Sequence, residues 1–393
     1  MIKWSDGTGF TEIEEARWMT GGPGYFDFIA KLIEQAKESI SLFVYILTPD
    51  TTGNRIIGLL KEAALRGVVV QLLVDDFGSD ALDHHTEADL TASGVKLKRF
   101  APFFSGTNFY IGRRMHAKVL VTDHIHAVVG GINIAARYEG DSDGPAWLDY
   151  AVYIRGSVST AIEKNGLRLK NPMREVKMPA LIQMRTKKAV NYTGKTLARF
   201  RVNDFLKNRR EITKSYNQAV KNARHSVTIV GGYFIPGRRF RRYMRLAVKR
   251  GVKVKVLLTH FSDVPVTRLA SEYLYGWMIR NGIGLYEYKT SMVHGKAAVV
   301  DSLWVTIGSY NQNHLSAYLS IELNVDLLDA ELAESLEKQL EGIIATESNQ
   351  ITFENYTVKA WWMTKLKRWV SYHIVQTSLR LLFVANRIFR IDD

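Results

Sequence analysis

Two short stretches of this sequence carry the same reactive side chains at the same spacing. The first stretch contains His116, Lys118, Asp123, Gly131 and Asn133, and the second contains His294, Lys296, Asp301, Ser309 and Asn311. Both fit the pattern H-x-K-x4-D-x6-G-(S/G)-x-N. A lone His-x-Lys pair is most often ordinary surface or core, whereas a duplicated pattern at matched spacing indicates a shared chemical task.

The side chains of the two stretches suit the cleavage of a phosphodiester. Lysine and asparagine can hold the non-bridging oxygens and stabilise the negative charge that grows there in the transition state. One imidazole can attack phosphorus while the other protonates the departing alkoxide, because the pKa of histidine lies near neutrality. This chemistry needs neither a metal ion nor another cofactor, and each stretch alone supplies only half of the groups.

The spacing also predicts where these side chains point. Residues two apart on a β-strand share a face, so the histidine and lysine of each stretch project to the same side. Asp123 and Asp301 lie seven residues after the histidines and fall on the opposite face if the strand continues. We therefore expect these two aspartates to stabilise the fold from behind the site, although the motif groups them with the catalytic residues.

Both stretches belong to a larger internal duplication. Residues 36–47 resemble 223–234, residues 64–74 resemble 248–258, residues 92–100 match 280–288, and residues 115–123 match 293–301. Four blocks in the same order at nearly constant offset indicate a duplicated domain.

Each copy has the pattern of an α/β fold. Helices are predicted at Tyr25–Lys37 and Glu211–Ala223, and strands at Ile40–Leu47, Val68–Val74, Val227–Phe234 and Val252–Leu258. Gly67 and Gly251 each end a second helix, because glycine readily takes the left-handed C-cap conformation. Apolar strands alternating with helices indicate a mixed, mostly parallel sheet flanked by helices. We predict two such domains, packed with pseudo-twofold symmetry around one active site at their interface.

The chain is accordingly divided into four parts. Residues 1–165 and 206–345 are the two domains, residues 166–205 form a basic linker or insert, and residues 346–393 form a basic, aromatic tail. On a helical projection of the tail, one arc holds Trp362, Met363, Leu366, Trp369, Val370 and Ile374, and the other holds Thr364, Lys365, Lys367, Arg368 and Ser371. This pattern is typical of helices that lie at an anionic membrane surface; the alternative is a helix docked on the protein's own core.

Composition limits the classes of function. The chain has 393 residues, no cysteine, and 53 Lys+Arg against 39 Asp+Glu, for a net charge of +14. The lack of cysteine excludes thiol catalysis, disulfide scaffolds and Cys-based metal centres. No apolar run approaches the ~20 residues that cross a bilayer, so we expect at most a peripheral membrane association. The basic excess favours an anionic partner, whether nucleic acid, lipid surface or phosphorylated substrate.

The motifs and their surroundings resemble the phospholipase D superfamily. Within it, LVDDFGS (73–79), GGINIAARY (130–138), GGYFIPGRRFRR (231–242) and SDVPVTR (262–268) resemble the short-type bacterial cardiolipin synthases. The resemblance covers roughly residues 20–345. It implies a peripheral enzyme of the bacterial cytoplasmic membrane, without a cofactor, that joins phosphatidylglycerol to a second phospholipid alcohol through a phosphohistidine.

The resemblance also implies roles for individual residues. His116 would be the nucleophile and His294 the acid and then the base, while phosphate would be bound by Lys118, Lys296, Asn133, Asn311 and Ser309. An acid about thirty positions downstream orients each histidine in this family, and Asp149 and Glu322 match that spacing. A carboxylate on the far ring nitrogen fixes the tautomer and stabilises the imidazolium. The first stretch has Gly131 where serine is common, which removes one hydroxyl donor.

Other readings stay open from the residues alone. The same chemistry serves a hydrolase acting on lipid or DNA, and an inactive basic binding module is a third possibility. The tryptophan-rich tail favours lipid, so nucleic acid is not the expected partner. His124 with His126, and His84 with His85, offer spacings for metal ligands, but a solvated turn and a polar helix start are the expected explanations.

Overall fold

Each half of the chain folds around its own sheet in a computed structural model of the protein. The structure describes residues 2–4, 8–102, 104–105, 108–109, 114–142, 144–170, 190–204, 207, 209–313, 316, 320–358 and 362–388. The predicted linker residues 171–189 lie outside these ranges, as does Trp361 of the predicted tail helix.

The elements of the first half alternate between strands and helices. The strands are β1 (Ile2–Trp4), β2 (Thr11–Glu12), β3 (Glu15–Thr20), β4 (Ser39–Val44), β5 (Val69–Asp75), β6 (Lys96–Phe100), β7 (Phe104–Ser105), β8 (Asn108–Phe109), β9 (Arg114–Met115), β10 (Lys118–Thr122), β11 (His126–Gly130) and β12 (Tyr150–Arg155). The helices are α1 (Pro23–Gln35), α2 (Thr51–Leu65), α3 (His84–Ala92), α4 (Ala136–Glu139) and α5 (Ser157–Leu167), followed by a 3-10 turn at Arg168–Lys170.

The second half repeats this alternation and then adds the tail. Its strands are β13 (Val190–Tyr192), β14 (Leu197–Asp204), β15 (Arg209–Arg210), β16 (Ser226–Gly231), β17 (Lys253–Thr259), β18 (Gly284–Tyr288), β19 (Lys296–Val300), β20 (Trp304–Gly308), β21 (Ser320–Leu328) and β22 (Ser348–Gln350). Its helices are α6 (Glu211–Asn222), α7 (Arg238–Lys249), α8 (Pro265–Glu272), α9 (Tyr275–Arg280), α10 (Ala330–Thr346), α11 (Phe353–Val358) and α12 (Trp362–Ile388).

The two sheets have corresponding orders. The first runs β3-β12-β11-β10-β4-β5-β6, and the main path of the second runs β15-β14-β21-β20-β19-β16-β17-β18-β22. In each sheet three consecutive strands are parallel, β4-β5-β6 and β16-β17-β18. The α/β architecture is confirmed, but the sheets are less parallel than predicted. The reason is that β10 and β19 turn directly into β11 and β20, and short hairpin connections join only antiparallel strands.

The predicted repeat elements are present at nearly the predicted bounds. Strands β4, β5, β16 and β17 and helices α1 and α6 coincide with the apolar runs and amphipathic stretches of the sequence. Gly67 and Gly251 have φ of 90° and 89°. This left-handed conformation often ends a helix, and glycine adopts it at a lower free-energy cost than other residues do.

The halves share a core and exchange strands. Val129 and Ile154 of the first sheet belong to the same buried cluster as Ile307 and Val325 of the second. Strand β9 of the first half pairs in parallel with β21 of the second, and Leu148 bridges to Val293. Strand β14 pairs with β21, so the second domain begins before the predicted boundary at residue 206. Within the described residues, no helix is long and apolar enough to cross a membrane.

Candidate active site

The two motif histidines are held where the halves meet. The backbone N–H of His116 donates to the carbonyl of Ile321 over 3.0 Å, and that of His294 donates to the carbonyl of Leu148 over 2.9 Å. These carbonyls come from the residues just before Glu322 and Asp149. Each histidine is therefore fastened to the other half of the chain, beside that half's acid.

As a result, each histidine pairs with the acid of the other half. Nδ1 of His116 lies 2.9 Å from Oε2 of Glu322, and Nδ1 of His294 lies 2.6 Å from Oδ2 of Asp149. The expectation that each acid serves the histidine upstream of it in the same copy was wrong, because the β9–β21 pairing and the Leu148 bridge bring the opposite acid into reach. A carboxylate at Nδ1 favours the Nδ1–H tautomer and leaves Nε2 of each ring with a lone pair.

The two motif lysines are buried beside the histidines. Nζ of Lys118 donates to the carbonyl of His116 over 2.6 Å, and Nζ of Lys296 donates to the carbonyl of His294. Burial lowers the pKa of Lys118 to about 7 and that of Lys296 to about 8, against the attraction of Glu322 and Asp149. A bound anion would replace part of the lost solvation and raise both pKa values, so the pair is suited to holding a phosphate.

Burial also favours the neutral form of both imidazoles. It lowers the pKa of His116, against the opposing effect of Glu322. For His294, burial and then the charge of Lys296 lower the pKa well below its usual value. Burial alone would raise the pKa of Asp149, but the hydrogen-bonded ring of His294 and the charge of Lys296 hold it low. The charge of each lysine reaches the histidine of the other half, so the two motifs form one site.

Ser309 contacts an acid rather than open space. Its hydroxyl donates to Oε2 of Glu322, the oxygen that faces His116, and accepts from the N–H of Leu323 over 3.1 Å. The corresponding Gly131 is required by packing, because a β-carbon there would lie 2.3 Å from Oδ1 of Asp149. The Ser309 hydroxyl thus contacts the acid that faces His116, and its phosphate-binding role stays a prediction.

The two motif asparagines are not equivalent. Oδ1 of Asn133 accepts from the N–H of Ile46 over 3.0 Å, and its Nδ2 donates to the Tyr138 hydroxyl over 2.7 Å. One N–H of Asn133 is left for a ligand. Asn311 is also buried, and its Oδ1 has no hydrogen-bond partner among the described residues.

Asp123 and Asp301 lie away from this constellation, in the turns at the far ends of β10 and β19. Oδ1 of Asp123 accepts from the N–H groups of Lys37, Glu38 and Ser39 at 2.8–3.1 Å. Asp301 receives the equivalent N–H groups of residues 224–226 at 2.7–3.1 Å. Both residues have φ near 50°, a strained conformation that these hydrogen bonds hold in place. The motif groups both aspartates with the catalytic side chains, but neither of them lies in the site.

Aromatic rings that the motifs did not predict enclose the histidines. The Tyr45 ring lies 5.0 Å from that of His116, while Tyr138, Trp147 and Tyr233 surround His294 at 5.3–6.4 Å between ring centroids. Tyr233 lines the site, whereas the next residue, Phe234, is in the core. Spacing rules could not find these rings, because they come from three separate loops and the short helix α4.

Two further exposed rings flank the site from either half. Phe77 and Phe261 lie 184 residues apart, at equivalent positions just after β5 and β17, and are 58% and 47% exposed. Each follows by two residues a side chain that holds a histidine segment: Asp75 accepts from the N–H of Met115, and Thr259 accepts from that of Val293. Each half therefore has an exposed ring next to the segment that holds a histidine.

The other histidines are accounted for locally. His124 pairs with Glu163 over 2.6 Å in the turn after β10, and His126 contacts the Tyr153 hydroxyl. His84 and His85 begin α3, whose N-cap is Asp83. The expected turn and helix start are confirmed, and no metal-binding cluster of three or more His, Cys, Asp or Glu exists among the described residues.

Comparison with known proteins decides the family. The model of the "Cardiolipin synthase, PLD-like domain" family matches residues 29–142 and 216–344, one match in each half. The chain belongs to this family. It is therefore an enzyme of the phospholipase D superfamily, of the phosphatidyltransferase kind that resembles bacterial cardiolipin synthases.

Individual relatives align in sequence with most of this chain. Cardiolipin synthase B of Salmonella typhi is 31% identical over 90% of this chain and 86% of its own length. Cardiolipin synthase of Halalkalibacterium halodurans is 27% identical over 93% of this chain and 71% of its own length. The crystal structure of phosphatidylserine synthase from Haemophilus influenzae Rd KW20 has the same fold, with a TM-score of 0.71 at 11% identity, covering 96% of this chain and 97% of that one.

Proposed function

We propose that the protein transfers a phosphatidyl group from phosphatidylglycerol to the alcohol of a second phospholipid, through a phosphohistidine on His116. The observation that carries the proposal is the crossed pairing of His116 with Glu322 and of His294 with Asp149. It gives the site two equivalently oriented imidazoles, one for attack and one for proton transfer. A binding role would require neither imidazole. A hydrolase would use the same pair, so the choice of transfer over hydrolysis is supported by the likeness to cardiolipin synthases and by the enclosure of His294.

The reaction divides into two displacements. The lysines hold the non-bridging oxygens while Nε2 of His116 attacks phosphorus, and the bond from phosphorus to the glycerol oxygen breaks as His294 protonates that oxygen. Burial favours the neutral form of His294, which takes up its proton as the anionic phosphodiester raises its pKa. In the second step His294 removes the proton of the incoming alcohol, whose oxygen attacks phosphorus and releases His116.

The surroundings of His294 support its role as acid and base. Tyr138, Trp147 and Tyr233 enclose it, and its side chain is 8% exposed, compared with 16% for His116. The group that activates the second alcohol must favour that alcohol over water, and a dry aromatic enclosure does this. We therefore assign the attack to His116 and proton transfer to His294.

Labelled phosphatidylglycerol vesicles incubated with the protein in EDTA are expected to yield cardiolipin and free glycerol. The reaction should persist in the chelator, because Lys118 and Lys296 supply the charge stabilisation that a divalent ion would otherwise give. Plasmid DNA in a parallel incubation should stay intact. Phosphatidic acid as the main product would indicate a lipase, nicked plasmid a nuclease, and activity restored by one divalent ion would contradict the metal-free mechanism.

We also propose that the tail helix α12 rests on an anionic membrane surface. Its apolar arc faces outward: Trp362, Leu366 and Trp369 are 60%, 50% and 49% exposed. Its opposite side docks on α8, where Nε of Arg368 donates to Glu272 over 2.8 Å. Arg368, which the helical projection places on the polar arc, is buried in this ion pair and does not face headgroups, whereas Lys365 and Lys367 are exposed.

The double variant Leu366→Gln/Trp369→Gln is expected to weaken binding to phosphatidylglycerol vesicles by roughly 30-fold. The two half-exposed side chains would lose about 2 kcal/mol of burial in the bilayer interface. Vesicle sedimentation measures the change. Leu65→Gln/Ile125→Gln is the matched control, since it alters two exposed apolar residues on other surfaces. Equal binding by both variants would contradict a membrane role for α12.

A further inference from the structure

A groove of about 360 Å³ lies between the start of α7 and the exposed side of α12. On the α7 side it is lined by Gly237, Arg238 and Arg241, and on the α12 side by Tyr372, His373 and Gln376. The motif residues of the active site do not line it. Its walls combine two guanidinium groups with side chains that can donate hydrogen bonds.

The arginines of this groove differ from their neighbours in lacking an acid. Arg268 and Arg368, on the adjoining helices, both pair with Glu272 at 2.8–2.9 Å. Among the described residues Arg238 and Arg241 form no salt bridge, and the buried Nε–H of Arg241 has no acceptor. The guanidinium of Arg241 lies 5.6 Å from the centroid of the Trp277 ring, and an anionic ligand in the groove would balance the charge of both arginines.

The backbone adds to the positive potential of the groove. Helix α7 begins at Gly237, which has no side chain to cap the first turn, and half of its twelve residues are Lys or Arg, with no acid among them. The free N–H groups and the positive end of the helix dipole favour a bound anion, and phosphate is the anion that such termini commonly hold. Guanidinium groups bind phosphate oxygens in a bidentate geometry.

The position of the groove specifies the source of the phosphate. The ring of His373 in its wall contacts that of Trp369, a residue of the exposed apolar arc of α12, with 4.4 Å between the ring centroids. At its other end, Pro236 is three residues from Tyr233, whose ring faces His294. An anion site that adjoins an apolar surface and the mouth of a lipid-processing site fits a phospholipid headgroup at the bilayer surface.

We propose that the groove binds the phosphate of an anionic phospholipid in the bilayer, at a site distinct from the active site, and so orients the enzyme on its membrane. The proposal rests on the proposed function only for the choice of a membrane partner. The bound lipid is not turned over there, because the groove contains neither of the paired catalytic histidines.

The test compares two variants with the same loss of charge on the same helix. Arg238→Gln/Arg241→Gln alters the groove, while Arg239→Gln/Arg242→Gln alters arginines of α7 that do not line it. We expect the first to bind phosphatidylglycerol-containing vesicles at least tenfold more weakly than the second, measured by sedimentation. Neither should change turnover of a short-chain, water-soluble phosphatidylglycerol, which reports the active site. Arg238→Lys/Arg241→Lys keeps the charge without the bidentate geometry and should give an intermediate loss.

Several outcomes would overturn the proposal. Equal binding by the two glutamine variants would mean that general charge, not the groove, attracts the vesicles. Displacement of the wild-type protein from vesicles by micromolar glycerol phosphate would identify a soluble phosphate as the ligand. Loss of short-chain turnover in the lysine variant would assign the groove to the active site. Failure of all variants, and of the wild type, to turn over the short-chain lipid would instead contradict the proposed function and leave the vesicle comparison valid.

Discussion

Replacing either His116 or His294 with alanine is expected to reduce phosphatidyl transfer by on the order of 10⁴-fold or more. Each imidazole has a step that no other described side chain in the site can perform, and loss of a nucleophile or its proton-transfer partner has effects of this size. The two variants should differ in whether the phosphoenzyme intermediate forms. His116→Ala should form no phosphoenzyme, whereas His294→Ala should retain slow labelling, especially with a substrate whose alcohol leaves without protonation.

Trapping with labelled phosphatidylglycerol and acid quench distinguishes the roles. His126→Ala is the control, because His126 contacts the Tyr153 hydroxyl at the far end of the sheet and lies outside the proposed mechanism. Label that accumulates in His116→Ala and not in His294→Ala would reverse the assignment of nucleophile and acid. Full activity in either variant would contradict the two-histidine mechanism altogether.

The duplicated fold was predictable because it repeats in the sequence. Apolar runs for β4, β5, β16 and β17 and the glycines at 67 and 251 encode each half with local signals. A turn after the first motif strand was predicted, but the antiparallel pairing of the two motif hairpins was not, because the sheets were expected to be mostly parallel. Their turns hold Asp123 and Asp301 in a left-handed conformation, which the motif spacing alone does not reveal. The alternation of side chains along a strand predicted that both aspartates lie outside the site. It did not predict that they accept hydrogen bonds from the backbone where β4 and β16 begin.

The inventory of the site was predictable, but the partners within it were not. Sequence distance suggested that Asp149 serves His116, whereas the chain brings Asp149 to His294 through the Leu148 bridge. Such pairings depend on how the halves dock, which no local pattern encodes. The same holds for Gly131, whose missing side chain looks like a lost donor in the sequence. In the fold, the absence of a side chain at Gly131 leaves the space that the carboxylate of Asp149 occupies. The corresponding residue of the second half is Ser309, and the longer acid Glu322 accepts a hydrogen bond from its hydroxyl.

Glu322→Gln is expected to lower the pKa of His116 and leave that of His294 nearly unchanged, and Asp149→Asn should do the reverse. Both acids attract the proton of the imidazole that they contact, so removing the charge makes that imidazole harder to protonate. Titration of ¹⁵N-labelled histidine side chains by NMR measures the shifts. Glu163→Gln is the matched control, because Glu163 raises the pKa of His124, so that variant should lower the pKa of His124 alone.

The same two variants should lose on the order of 10³-fold or more in transfer activity, since an amide behind a catalytic histidine favours the wrong tautomer. The two variants should affect different steps of the phosphoenzyme intermediate, because each acid contacts a different histidine. Glu322→Gln should slow the formation of phosphoenzyme on His116, whereas Asp149→Asn should allow slow formation and delay its resolution by the second alcohol. If Glu322→Gln instead shifts the titration of His294, the pairs are not crossed in solution. The joined halves would then dock differently, and the site would have to be assembled from each copy's own acid and histidine.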